Sequence, residues 1–155
     1  MKKQSGFTLI ELVIVIIVLG VLSASALPKF LDLQSDARKG AMQGLKAAFE
    51  SASTFTYSKA RIEGLGDTAN EVLSSGIKIR YGYPSATQTN LKLVLDFSED
   101  DWKLSGSGTA VTFTSASETE GFSNDEIASN TVCKLIYNQA AKNERPKITI
   151  SGCVD

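Results

Sequence analysis

A single carboxylate inside an apolar run is the placement in this chain that most demands chemistry. Glu11 lies in the stretch Phe7 to Leu22, and from Leu12 to Pro28 no other charge occurs. A carboxylate in hydrocarbon is costly enough that it reads as functional, with a partner to be found. The other candidates are fewer than the length of 155 residues would allow. There is no histidine, which removes Ser-His-Asp and Cys-His nucleophile systems and every His-ligated metal site. Ser98-Glu99-Asp100-Asp101 is acidic, but it lacks the alternate-residue ligand spacing and the glycine of an EF-hand, so a solvated turn is the simpler reading. Trp102 and the tyrosines could stack on a sugar, although lone aromatics are more often core. No phosphate loop and no motif-placed carboxylate pair is present, so no enzyme activity, cofactor or metal is expected. Two cysteines, Cys133 and Cys153, read as one disulfide if the chain is exported to an oxidising compartment.

The element that must position Glu11 is an apolar helix. Phe7 to Leu27 is long enough to cross a bilayer, which takes about 20 apolar residues. Lys2 and Lys3 before it place the N-terminus on the cytoplasmic side. The residues alone leave two readings. One is a secretory signal peptide, with Ala24-Ser25-Ala26 as its small-residue cleavage site. The other is a retained anchor, favoured by Glu11 within the run and by a helical pattern that continues past Ala26.

Gly6-Phe7-Thr8-Leu9-Ile10-Glu11 resembles the processing site of the type IV prepilins. That resemblance implies removal of the leader 1–6 by a prepilin peptidase/methyltransferase, with the cut between Gly6 and Phe7 and methylation of the new Phe7 amine. It implies that the apolar segment 7–28 is retained, first as a single-pass inner-membrane anchor and then as the core of an extracellular filament. Gly20 and Pro28 fall where the family has its helix-loosening glycine and proline; close packing is the other account of Gly20. Pro28-Lys29-Phe30-Leu31-Asp32-Leu33-Gln34-Ser35-Asp36-Ala37-Arg38 and Tyr81-Gly82-Tyr83-Pro84-Ser85-Ala86 are similar to the mannose-sensitive haemagglutinin (MSHA) branch. The implied fold is α+β, a long N-terminal helix packed on a small antiparallel sheet. The implied partners are further copies of the chain, the peptidase, the inner-membrane assembly machinery and, on the C-terminal face, a surface or glycan ligand.

The physical role for Glu11 follows from the cut. Cleavage creates an α-amino group at Phe7, protonated at neutral pH. A carboxylate from a neighbouring copy would neutralise it in low dielectric and fix the register of helices that otherwise slide. The alternatives are a pseudopilin of a type II secretion system, whose major form often has a calcium site where this chain has its cysteines, and a minor pilin acting as a binding module.

Beyond Pro28, which should kink or loosen the helix, Phe30, Leu33, Ala37, Ala41, Leu45, Ala48, Ala52 and Phe55 recur at steps of three or four. They predict an amphipathic continuation over 29–62. Ser23 and Ser25 are placed to satisfy freed carbonyls. Gly40 and Gly44 share a face and would admit a close helix contact. The segment 63–155 is then one globular domain. Within it Glu71-Val72-Leu73 is expected to form a helical turn, and Ile77 to Tyr81 a strand. Residues 90–97 suit either a strand or a helix capped by Thr87 or Thr89; the family resemblance selects the helix. Trp102 to Leu104 and Val111 to Thr114 form a hairpin about Gly106 and Gly108, and 114–130 is a surface connection. The runs 132–137 and 147–151 pair antiparallel with Cys133 opposite Cys153, Leu135 opposite Ser151 and Tyr137 opposite Thr149. The resemblance to the prepilins implies that the region 133–153 is the exposed, disulfide-bounded surface of the filament. The formal net charge is −1, without a basic block, so nucleic acid is not an expected partner. Loss of the two leader lysines makes the chain more acidic still.

Overall fold

The computed structural model describes residues 7–119 and 132–153. The leader 1–6, with Gly6, and most of the expected surface connection, residues 120–131, lie outside the described residues. The chain forms two compact units that divide between Ala37 and Arg38.

The first unit is helical. Helix α1 is assigned from Leu9 to Ile62, so its first part belongs to this unit and its remainder to the second. The assignment runs through Pro28. Ser25 Oγ donates to the Leu22 carbonyl at 3.0 Å, one turn before the proline. It therefore does not serve the Ala24 carbonyl, whose helical donor Pro28 removes. A Cβ added at Gly20 would meet nothing within 4 Å, so no packing inside the subunit requires glycine there.

The second unit is α+β, with its strands divided between two antiparallel sheets. β1 (Glu71–Val72), β2 (Lys78–Arg80) and β3 (Tyr83–Pro84) form the smaller. β4 (Trp102–Ser105), β5 (Ala110–Ser115), β6 (Lys134–Asn138) and β7 (Lys147–Ser151) form the larger, in that order. The short helices are α2 (Gln88–Val94) and α3 (Ala116–Thr119). Glu71-Val72 pairs with β2 instead of coiling, since Leu73 is buried against Ala60 and Ile79 and draws the segment alongside β2. Over 90–97 the helix wins: Thr87 caps it by accepting from Asn90 N, and the chain turns extended at Leu95.

The face that α1 buries differs from the apolar stripe in the sequence. Met42, Leu45, Phe49, Ser53, Thr56 and Ala60 are buried, whereas Phe55 is 74% exposed and Leu33 62%. Thr56 is tolerated on this face because its Oγ1 returns its hydrogen bond to the Ala52 carbonyl at 2.8 Å. An apolar count therefore rejects residues that the core accepts. Gly40 and Gly44 have open space around them and make no close contact. The helix ends in a Schellman motif, with Leu65 N bonded to Ala60 O and Gly64 N to Arg61 O.

Phe49 anchors the core. Its ring lies 4.8 Å from Phe113 of β5 and 5.8 Å from Tyr137 of β6. The Tyr137 hydroxyl donates to the Pro84 carbonyl at 2.8 Å and so ties the larger sheet to the smaller. Burial pushes its phenol pKa well up, with the Ser53 hydroxyl acting against that. Asn90, also buried, accepts from Lys78 N and donates to the Lys78 and Ser85 carbonyls, joining α2 to β2.

The β6–β7 register is one residue away from the sequence expectation. Leu135 faces Ile150 and Tyr137 faces Ile148, not Ser151 and Thr149. A one-residue slip reverses every side chain of a strand. The observed register sends Ile148 and Ile150 inward with Leu135 and Tyr137; the expected one would have turned both isoleucines outward.

Candidate self-assembly site

Leu9 to Leu27 is 19 residues of helix, long and apolar enough to cross a membrane, and none of it is buried within the subunit. At about 1.5 Å per residue it rises about 28 Å, close to the roughly 30 Å of a hydrocarbon core. Phe7, just before it, is 80% exposed. An apolar surface this continuous is incompatible with water and must be covered by lipid or by other chains.

At the head of this helix Glu11 is already engaged. Thr8 is the N-cap, and its backbone N–H and Oγ1 donate to Glu11 Oε2 at 2.9 and 2.8 Å. Glu11 N donates back to Thr8 Oγ1 at 3.3 Å. This is a capping box, which satisfies the unpaired donors of the first turn and sets a carboxylate at the positive end of the helix dipole. Among the described residues nothing bonds to Oε1, so that oxygen remains for an external donor. The signal was in the sequence: Thr-x-x-Glu directly before an apolar run is the capping-box pattern.

Cys133 and Cys153 form a disulfide, with Cα atoms 4.2 Å apart. Both lie just outside β6 and β7, and in the observed ladder Cys133 would face Gly152. Gly152 takes a φ of 76°, and this left-handed residue redirects the chain so that Cys153 meets its partner despite the offset. The bond encloses β6, β7 and their connection. In that connection Lys142, Asn143, Glu144 and Arg145 are exposed while Ala140 is buried.

The remaining candidates resolve simply. Trp102 packs against the core, half-buried. In the acidic turn Glu99 pairs with Lys92, which holds its carboxyl below the usual range, and Asp100 N donates to Ser98 Oγ. Among the described residues no group of three or more His, Cys, Asp or Glu side chains gathers.

Comparison with known proteins bears on both units. Residues 1–27 match a family described as the prokaryotic N-terminal methylation motif. The type IV major alpha-pilin of Moraxella bovis is 31% identical over 99% of this chain and 99% of its own. The type IV major pilin protein PilA of Myxococcus xanthus is 37% identical over 52% of this chain, a match that spans 36% of that relative's length. The type IV narrow pilus major component PilA5 of Thermus thermophilus is 38% identical over 47% of this chain and 60% of its own. No solved structure matches the chain.

Proposed function

The chain belongs to the type IV pilins, and from that membership we propose that it is a structural subunit of an MSHA-like type IV pilus serving surface attachment. The relatives are pilins and not enzymes, and a structural role follows for this chain. The observation that carries the reading is the wholly exposed apolar helix headed by Glu11. A prepilin peptidase/methyltransferase cuts between Gly6 and Phe7 and methylates Phe7. The subunit waits in the inner membrane, anchored by 7–28, with Gly20 and Pro28 loosening the helix. The assembly machinery then draws it into a filament of identical copies, where Glu11 pairs with the Phe7 amine of a neighbour. The MSHA branch is supported by the runs Pro28 to Arg38 and Tyr81 to Ala86, and the disulfide favours a pilin over a calcium-bearing pseudopilin.

The capping box gives the test its form. Glutamine at the third helical position preserves a capping box, while valine abolishes it. If Glu11 serves only to cap the helix, Glu11→Gln yields filament normally and Glu11→Val yields somewhat less. If its charge pairs with a neighbouring amine, both variants are cleaved, with a methylated Phe7 at the mature N-terminus, and both remain in the inner membrane. Filament sheared from cells carrying only Glu11→Gln at the parental yield would overturn the pairing.

A further inference from the structure

Three of the chain's four tyrosines open on one cleft of about 650 Å³ in the second unit. Tyr57 comes from α1, Tyr81 from the β2–β3 loop and Tyr83 from β3, and the β6–β7 connection supplies the opposite rim. The backbone beneath them is strained in a specific way. Arg80 pairs with Tyr83, so Tyr81-Gly82 is a two-residue hairpin loop, and both residues have positive φ, 51° and 82°. That is the type I′ pattern, whose first central position ordinarily takes Asn, Asp or Gly. A tyrosine there is held against its preference. Among the described residues, the non-glycine positions with positive φ are Tyr81 and Asn143, and both line this cleft. Such outliers persist where the surroundings enforce them, and they gather at ligand clamps.

The enforcing contacts are visible. Tyr81 N donates to the Thr68 carbonyl at 2.8 Å, and the Arg80 guanidinium lies 5.7 Å from the Tyr81 ring centroid. Tyr57 stacks on Tyr83 at 4.7 Å, the planes 17° apart. It also lies against Gly82, where an added Cβ would come within 2.7 Å of its ring. These contacts hold the three rings, each half-buried, along the wall of the cleft. Around it stand groups of both signs: Asp67, held by Arg61 at 3.0 Å, then Lys142, Glu144 and Arg145.

We propose that this cleft binds a saccharide. A pyranose stacks its C–H face on a tyrosine ring, and its hydroxyls, each a donor and an acceptor, meet the mixed rim of carboxylate, amide and guanidinium. A phosphate backbone suits the site less, because Asp67 and Glu144 interrupt the cations that line it. The site gives the attachment reading a ligand class, yet it resides in the folded domain and needs no filament.

The test uses the full chain in detergent micelles and saturation-transfer NMR from the aromatic protons. The probes are methyl β-D-galactopyranoside, methyl α-D-mannopyranoside, methyl β-D-glucopyranosiduronate and a short oligothymidylate. Transfer to the ring C–H protons of at least one pyranoside is expected. Tyr81→Gly should keep or raise the melting temperature, since glycine accepts the left-handed loop, yet weaken that sugar about tenfold or more. If Tyr81→Gly does not fold, Arg145→Ala on the exposed rim should weaken it instead. Absence of transfer to every pyranoside overturns the proposal. So does undiminished sugar binding by folded Tyr81→Gly, or binding of the oligothymidylate alone. Glu11→Gln should bind sugar as the parent does, so failure of assembly and failure of this site are separate results.

Discussion

Replacing Cys133 and Cys153 together by alanine tests whether the C-terminal hairpin depends on its covalent closure. The bond joins residues 20 apart in sequence. In the chain-entropy account, closing a loop of that size removes freedom from the unfolded chain worth about 3 kcal/mol at 25 °C. Cys133 is buried, so its truncation also loses apolar contact comparable to one methylene, about 0.8 kcal/mol. The expected loss is therefore about 4 kcal/mol. For a domain of this size, at about 4 °C per kcal/mol, the melting temperature should fall by about 15 °C. The assay is thermal unfolding of the full chain in detergent micelles followed by near-UV circular dichroism. Trp102 and Tyr137 report the sheet domain there, while the apolar helix contributes little. Reductant added to the parent should reproduce most of the shift, because it opens the same loop and leaves the sulfur atoms in place. A double-alanine protein melting within about 3 °C of the parent would refute the reasoning. It would mean that the β6–β7 ladder already restrains this loop in the unfolded chain.

Two further substitutions probe the joints between elements. Tyr137→Phe removes the bond to the Pro84 carbonyl and should cost about 1 kcal/mol, read from the urea midpoint. The parent phenol is held protonated by burial, so its contribution is whole below pH of about 10 and falls as pH rises and the unfolded chain deprotonates. Tyr137→Phe should flatten that alkaline decline. Asn90→Asp turns a carboxylate toward the Lys78 and Ser85 carbonyls that the amide now serves and should cost about 3 kcal/mol or more at neutral pH. Burial favours the protonated acid, so the loss should shrink below pH of about 4 and deepen as pH rises; equal urea midpoints at both pH values would refute it.

What the sequence disclosed depended on how local each signal was. The apolar run and the glycine hairpin at 106–108 needed only neighbours in the chain to be read, and the cysteine pair only a count of two. The helix at Gln88–Val94 did not, because Leu91, Leu93 and Leu95 fit a strand as well as Leu91 and Val94 fit a helix. The deciding facts are the Thr87 cap and the bonds from Asn90 to β2, and those bonds depend on the tertiary fold. The β6–β7 register was drawn from the cysteines, which are the residues least suited to set it. Gly152 allows them to meet one residue out of step, while the isoleucines decide which face is buried. The α1 face was misread for a related reason. Thr56 looks like a surface residue until the helix backbone is seen to take its hydroxyl. The tyrosine cleft was beyond reach, since positions 57, 81 and 83 meet only after the smaller sheet folds beside α1.

The capping box changes the physical problem that Glu11 poses. A carboxylate waiting in a membrane for a neighbour's amine would stand unpaired throughout its wait, and hydrocarbon penalises that severely. Thr8 lessens the difficulty by lending two donors to Oε2 at the helix end, where the dipole also favours negative charge. The carboxylate keeps its charge, but part of its hydrogen-bonding need is met within the helix, and among the described residues Oε1 accepts no bond and is left for a cation. On the proposed assembly route a neighbour's Phe7 amine adds to this arrangement without breaking it. A glutamine in place of Glu11 would still meet the demand of capping, because capping needs only an acceptor. The second demand needs the charge, and the two side chains separate capping from assembly for that reason.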